Sequence, residues 1–507
     1  MTFLLEFIKA FAATPAFLVG IFTLIGCLAL RKKASETVVS VFKVIVGFLI
    51  LGGGAAVLQG SLNAFQPVFQ ETYKLNGIIP NNDAFAGLLT KVSAISTVGS
   101  LIMIVGMILN LILAVFSRFK YVYLSGHVLF YTSLMLAAVF ITLGFDPANS
   151  TGDFFMVLFS GAALMGSYMI ISPAVQQRHM RMIVGSDEIG LGHTGGFGYA
   201  ISGYIGEGIG KLRRGKVTST ESINFPKSLY FFRNTLVSLT ITILVFYMVA
   251  FIPGGILYQM GRIPQDLNEK GEVTNAAYKV LSNGSWVITM FVQAFTFTAG
   301  VEIMLSGVRL FIGELIPTFK AISDKLIKNA KAAVDCPVVF PYAPNAVLIG
   351  FISSFIAGIV GMGITIGLKL GGALTVVILP GIVPHFFLGA TSGVFGNVRG
   401  GILGAIVGPF VHGLIITLVP AIFIWGHWVP ASSEALGALA KGEKSLEAIN
   451  WGDTDYIIGA IPGLFGLINK YVGLAIPFVI YLGLLIDGII AKIVKKNKNS
   501  KQAPVAA

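Results

Sequence analysis

The stretch DCPVVFPYAPNAVLIGF, residues 335–351, decides how the rest of the chain is read. It is largely apolar, yet it carries Pro337, Pro341 and Pro344 within eight positions. Each proline removes a backbone N–H and disfavours a helix interior. Non-helical backbone at membrane depth survives only where it is buried in protein or lines a polar cavity. The segment therefore reads as a re-entrant hairpin or broken helix, the device that builds solute sites in secondary transporters. The bland alternative is a cytoplasmic loop with apolar patches. Two Gly- and Pro-rich stretches invite the same reading: LGHTGGFGYAISGYIGEGIG, 191–210, and ILPGIVPHFFLGATSGVFGNVRGG, 378–401.

Working outward, the 507 residues are 55% hydrophobic and only 11% charged, against about 25% charged in a soluble domain. So few charges cannot cover a soluble globule. The apolar residues fall in blocks of about 20, the length that crosses a bilayer as a helix. Blocks at 11–30, 37–58, 95–116, 122–144, 154–174, 230–257, 284–308, 346–368, 370–395, 401–426 and 471–491 give eleven candidate crossings. The shorter block 456–468 reads as interfacial or half-buried. The expected fold is an all-α polytopic membrane protein, with one transport domain over 1–491 and a basic tail over 492–507. That tail is too short for a fused phosphoryl-donor domain. Composition excludes a cytosolic enzyme, a disulfide module and a disordered chain.

Basic residues set the orientation, because cytoplasmic loops retain Lys and Arg. With the N-terminus outside and the C-terminus inside, the inner segments hold 23 basic residues and the outer segments eight. The net charge of +12 thus marks the cytoplasmic face; no basic soluble module exists to bind nucleic acid. The first apolar block has its basic cluster after it, unlike a signal peptide. Five blocks precede the long inner segment 175–229 and five more run from 230 to 426. That parity fits inverted repeats over about 1–229 and 230–426. Cys27 sits in a span and Cys336 in a cytoplasmic segment, so no disulfide is expected. No zinc-ligand spacing, GxSxG, Walker loop or HExxH occurs, and no cofactor is called for.

Individual polar residues carry two readings each. His127, at the entrance of a span, is either a cap or interfacial residue or a site residue. His193 lies in a Gly-rich stretch where a solute can approach the backbone closely. Asp335 either accepts hydrogen bonds from solute hydroxyls or caps the turn that follows; Asn345 likewise suits the cap of the next span. Glu302 and Asp487 lie in apolar blocks, where ionisable groups are costly and often functional, unless a span end lets them reach water. His385 and His412 read as packing residues, His179 and His427 as loop residues, and Cys336 as a small apolar residue.

The runs GHVLF (126–130), GLGHTGGFGYAISGYIG (190–206), DCPVVFPYAPNAVLIGF (335–351) and PGIVPHFFLGATSGVFGNVRGG (380–401) resemble the membrane C component of the ascorbate-type bacterial phosphotransferase system. The likeness extends over roughly residues 5–490. It implies an eleven-span homodimer in the bacterial cell membrane, with a V-shaped scaffold domain and a mobile core domain moving like an elevator. Separate cytoplasmic A and B components would relay phosphate from phosphoenolpyruvate through HPr, and the B component would phosphorylate the released sugar. The C component itself carries no catalytic residue. The family's Gly-His-x-x-x-Gln stretch falls on Gly126 through Tyr131, so His127 carries over and Tyr131 replaces Gln. Its Gly-His-Gln stretch falls on Gly192, His193 and Thr194, with Thr replacing Gln. Its Asp-Cys pair falls on Asp335 and Cys336. Its Asp-Thr-Tyr segment falls on Asp83, Ala84 and Phe85 after a short insertion. The resemblance thus nominates Ala84, Phe85, His127, Tyr131, His193, Thr194 and Asp335 for substrate binding. Losing two amides and a phenol hydroxyl there points to a sugar or sugar acid that can differ from ascorbate. An ion-coupled secondary transporter, using Glu302 or Asp487, is the competing reading.

Overall fold

Apolar runs deprived of water fold as helices, because a helix satisfies its own backbone groups. The computed structural model describes residues 15–75, 77–78, 80, 82, 89, 92–223, 235–325, 327–374, 377–426 and 452–501. Its helices are α1 (Pro15–Ala29), α2 (Ala34–Thr72), α3 (Ser93–Phe116), α4 (Gly126–Thr142), α5 (Thr151–Val184), α6 (Gly196–Leu212) and α7 (Thr235–Gln259). There follow α8 (Ala276–Ser282), α9 (Trp286–Lys325), α10 (Pro344–Leu370), α11 (Ile382–Trp425), α12 (Ala460–Gly466) and α13 (Lys470–Lys501). Among the described residues, eight helices are long and apolar enough to cross a membrane. They leave large apolar side chains exposed, such as Phe42 and Leu49 on α2, Phe295 on α9, and Val479 and Ile486 on α13. The chain is a polytopic membrane protein.

The chain is mostly helical, as expected, with one small sheet that the all-α reading did not include. Three short strands, β1 (Tyr121–Tyr123), β2 (Ile189–Leu191) and β3 (Lys331–Val334), form a parallel sheet in the order β1-β3-β2. Tyr121 lies opposite Lys331, and Ile189 opposite Ala332. Strands this short have no readable periodicity. Side-chain amides cover the two outer edges. Asn110 Nδ2 donates to the Tyr121 carbonyl at 3.1 Å and Asn110 Oδ1 accepts from Tyr123 N at 3.3 Å. Gln177 Nε2 donates to the Ile189 carbonyl at 3.0 Å. These bonds pair edge groups that would each cost roughly 2–7 kcal/mol if left unpaired in an apolar setting.

The Gly- and Pro-rich stretches sort into distinct local structures. Residues 335–351 comprise a 3-10 turn over Cys336–Tyr342 and the start of α10. Residues 191–210 leave β2, turn at 192–195 and enter α6. The block 370–395 becomes helical only at Ile382, and the block 122–144 opens with β1. Helix α11 reverses at Gly401, whose φ of 56° and ψ of −148° suit glycine alone. The two arms of this hairpin meet at Gly396 and Gly404, where a Cβ on either would overlap the other's backbone. A Cβ on Gly400 would sit 2.7 Å from Gly206 Cα of α6. Small residues thus let three helix segments approach backbone to backbone. Elsewhere rings do the joining: Phe65, Phe246, Phe351 and Phe386 link α2, α7, α10 and α11, with successive centroids 4.6, 5.3 and 5.4 Å apart.

Candidate functional site

Each strand ends where a nominated residue begins. His127 lies four residues beyond Tyr123, His193 two beyond Leu191, and Asp335 directly after Val334. Parallel strands place their carboxyl ends together, the side on which open parallel sheets present ligands. The sheet therefore delivers three distant motifs to one locus. His193 Nε2 faces Asp335 Oδ1 at 4.0 Å, with both side chains about one-tenth exposed. Cys336 lies beside them, the candidate donor atoms of all three residues falling within 4.8 Å of one another. Those three are an incomplete tetrahedral set for a soft divalent ion.

The ring of His193 is oriented from behind. Gly195 N donates to His193 Nδ1 at 3.2 Å, and the Tyr199 hydroxyl meets the same nitrogen at 2.7 Å. A nitrogen that accepts a backbone N–H holds no proton in the neutral ring. The proton then sits on Nε2 and points toward Asp335. Asp335 Oδ1 in turn accepts from Cys336 N at 2.7 Å, so this carboxylate caps its turn and faces the histidine at once. Paired donors and acceptors of this kind suit a hydroxylated solute.

The other nominated residues divide. His127 stands in the first turn of α4, with Tyr131 one turn further along, half-buried beside Phe130. Thr194 is buried, and its hydroxyl donates to Asp453 Oδ2. Ala84 and Phe85 lie outside the described residues. Asn345 does not cap α10 with its side chain. Glu221 Oε1 does so from outside, accepting from Asn345 N at 3.0 Å and Ala346 N at 3.2 Å. His179 is no loop residue; it is fully buried in α5. His427 lies outside the described residues, and both cysteines are free.

Sequence reading missed Asp453, Thr454 and Asp455, all buried. Asp455 accepts from Ser172 Oγ at 2.6 Å, Tyr168 OH at 3.1 Å and Phe197 N at 2.8 Å. The available signal was GDTD at 452–455, two carboxylates heading an apolar block. At the opposite, amino ends of the strands lies a polar cleft of about 430 Å³ whose lining includes Arg118, Lys120, Asp187 and Lys331. Burial and the nearby Lys492 hold the Lys120 ammonium down to about 8. Burial pushes the Asp187 carboxyl up, but bonds from Lys331 and Gln177 outweigh it and leave it below the ordinary range.

Comparison with known proteins identifies the family. The family model for the PTS system sugar-specific permease component, EIIC-GAT, matches residues 10–443. The ascorbate-specific PTS system EIIC component of Mycoplasma pneumoniae is 26% identical over 411 residues, covering 75% of this chain and 60% of that protein. The chain thus spans under two thirds of that relative's length. With the match running over most of its residues, the chain belongs to the EIIC-GAT family of PTS sugar-specific permease components.

Proposed function

We propose that this chain carries L-ascorbate or a related sugar or sugar acid across the bacterial membrane, as the C component of a phosphotransferase system. A separate cytoplasmic B component, charged by an A component, phosphorylates the sugar as it is released. The single observation that carries this reading is the convergence of His193 and Asp335 at the carboxyl ends of β2 and β3, in a chain of the sugar-permease family. The family resemblance adds His127 and Tyr131 of α4, with Ala84 and Phe85, as further candidate contacts for the sugar. The working unit is an eleven-crossing homodimer with inverted halves, N-terminus outside, whose core moves as an elevator. Support comes from the eleven apolar blocks, each of which overlaps a helix or an arm of α11, and from the bias of basic residues.

The test is uptake of labelled L-ascorbate by cells expressing the chain with its A and B partners. Phosphoenolpyruvate-dependent uptake with phosphorylated sugar inside is expected. Accumulation of unmodified sugar without A and B would overturn the reading in favour of ion-coupled transport. In that alternative Asp487 or Glu302 would bind the ion, but Asp487 is exposed and paired with Arg118 at 2.7 Å.

A further inference from the structure

Three consecutive side chains leave the segment after residue 452 in three directions. Asp453 takes the hydroxyl of Thr194. Thr454 Oγ1 bonds His412 Nε2, whose other nitrogen meets Ser392 Oγ at 2.6 Å. Asp455 takes Ser172 and Tyr168 of α5 and the Phe197 N–H in the first turn of α6. Asp453 has extended backbone, with φ −82° and ψ 146°, which turns successive side chains to opposite sides. The Asp455 N–H also donates to the Thr194 carbonyl at 2.7 Å. The Tyr168 hydroxyl lies 3.3 Å from the His193 carbonyl. Thr194 is therefore gripped at both its hydroxyl and its carbonyl, and the peptide bearing His193 is bounded by the same groups.

Burying two carboxylates is costly unless hydrogen bonds compensate. Asp455 meets that cost with one N–H from a helix N-terminus, where the helix dipole favours a negative charge, and two hydroxyls. Packing alone would use apolar residues here. We propose that Asp453, Thr454 and Asp455 are positioning residues that fix His193 toward Asp335, and that Thr194 acts through this clamp without touching the sugar. The inference rests on the reading of His193 as a sugar-binding residue.

The test separates the two ideas. With Cys27→Ser in place, Cys336 is the sole thiol. It lies against His193, so its reaction with N-ethylmaleimide in the purified full-length protein reports how well the His193 loop is held, with no sugar present. Asp453→Ala and Thr194→Val should each speed labelling about tenfold, the effect of losing one charge-assisted hydrogen bond. Thr194→Ser, which keeps the hydroxyl, should label at the parent rate. L-ascorbate binding to the same proteins supplies the second arm. Each single change should weaken it about tenfold, and the double change by no more than either alone, since both break one contact. If the parent protein does not bind L-ascorbate, the substrate reading fails while the labelling rates still decide the clamp. Unchanged labelling in Asp453→Ala and Thr194→Val would overturn the clamp. So would multiplying losses of affinity, which would put Thr194 on the sugar in its own right.

Discussion

Gly198 and Gly208 occupy the same helix, α6, and should respond oppositely to one added methyl. A Cβ at Gly198 would overlap the imidazole of His412. That ring cannot swing away freely, since Ser392 and Thr454 hold both its nitrogens. Overpacking of this kind costs about 1–3 kcal/mol. Breaking the two bonds of His412 adds about 0.5–1.5 kcal/mol each. Replacing glycine within a helix returns about 0.5–1 kcal/mol. Gly198→Ala should therefore lose roughly 1–5 kcal/mol. Nothing lies within 4 Å of a Cβ at Gly208, so Gly208→Ala should gain about 0.5–1 kcal/mol. A thiol-reactive dye provides the assay, because Cys27 and Cys336 are both buried and react when the fold opens. A melting temperature lowered by several degrees for Gly198→Ala, and level or raised for Gly208→Ala, is the expected pair. Equal melting of the two variants would refute the packing of α6 against α11.

Other outcomes follow from the same geometry. His193→Ala should weaken sugar binding by about 1–3 kcal/mol, five- to 150-fold in Kd, with the elution volume of the purified protein unchanged. Lys120, lowered to about 8 in the folded state, sheds its proton before the unfolded chain does, so its contribution to stability rises with pH above about 8. The melting difference between wild type and Lys120→Met, measured from pH 7.5 to 9.5, should shift in favour of wild type as pH increases. The Asp187 carboxyl lies below its ordinary range, so its bond to Lys331 stabilises at neutral pH and is lost as pH falls through the folded value. Asp187→Asn should flatten the acid side of the melting curve against pH. For orientation, Lys270→Cys should react with an impermeant maleimide in intact cells, and Lys328→Cys only after permeabilisation.

The membrane class was legible because it rests on bulk composition, and most helices were legible because their apolar runs are long. The strands were not, since three or four residues carry no period. Yet the prolines of 335–351 and the glycines of 191–210 marked where regular helix fails, and those breaks adjoin β3 and β2. His193 and Asp335 were found through local motifs that the sheet then juxtaposes. Asp453, Thr454 and Asp455 escaped notice because their partners are distant in sequence, His412 by 42 residues, Thr194 by 259 and Ser172 by 283. Glu221 capping α10 was hidden for the same reason, being 124 residues from Asn345.

The most direct test of a sugar site at the carboxyl ends of the small sheet is an experimental density map of the purified protein with L-ascorbate. Ligand density between His193 and Asp335, bounded by the first turn of α4, is expected. Ligand density elsewhere in the membrane domain, with His193 and Asp335 facing only each other, would contradict it.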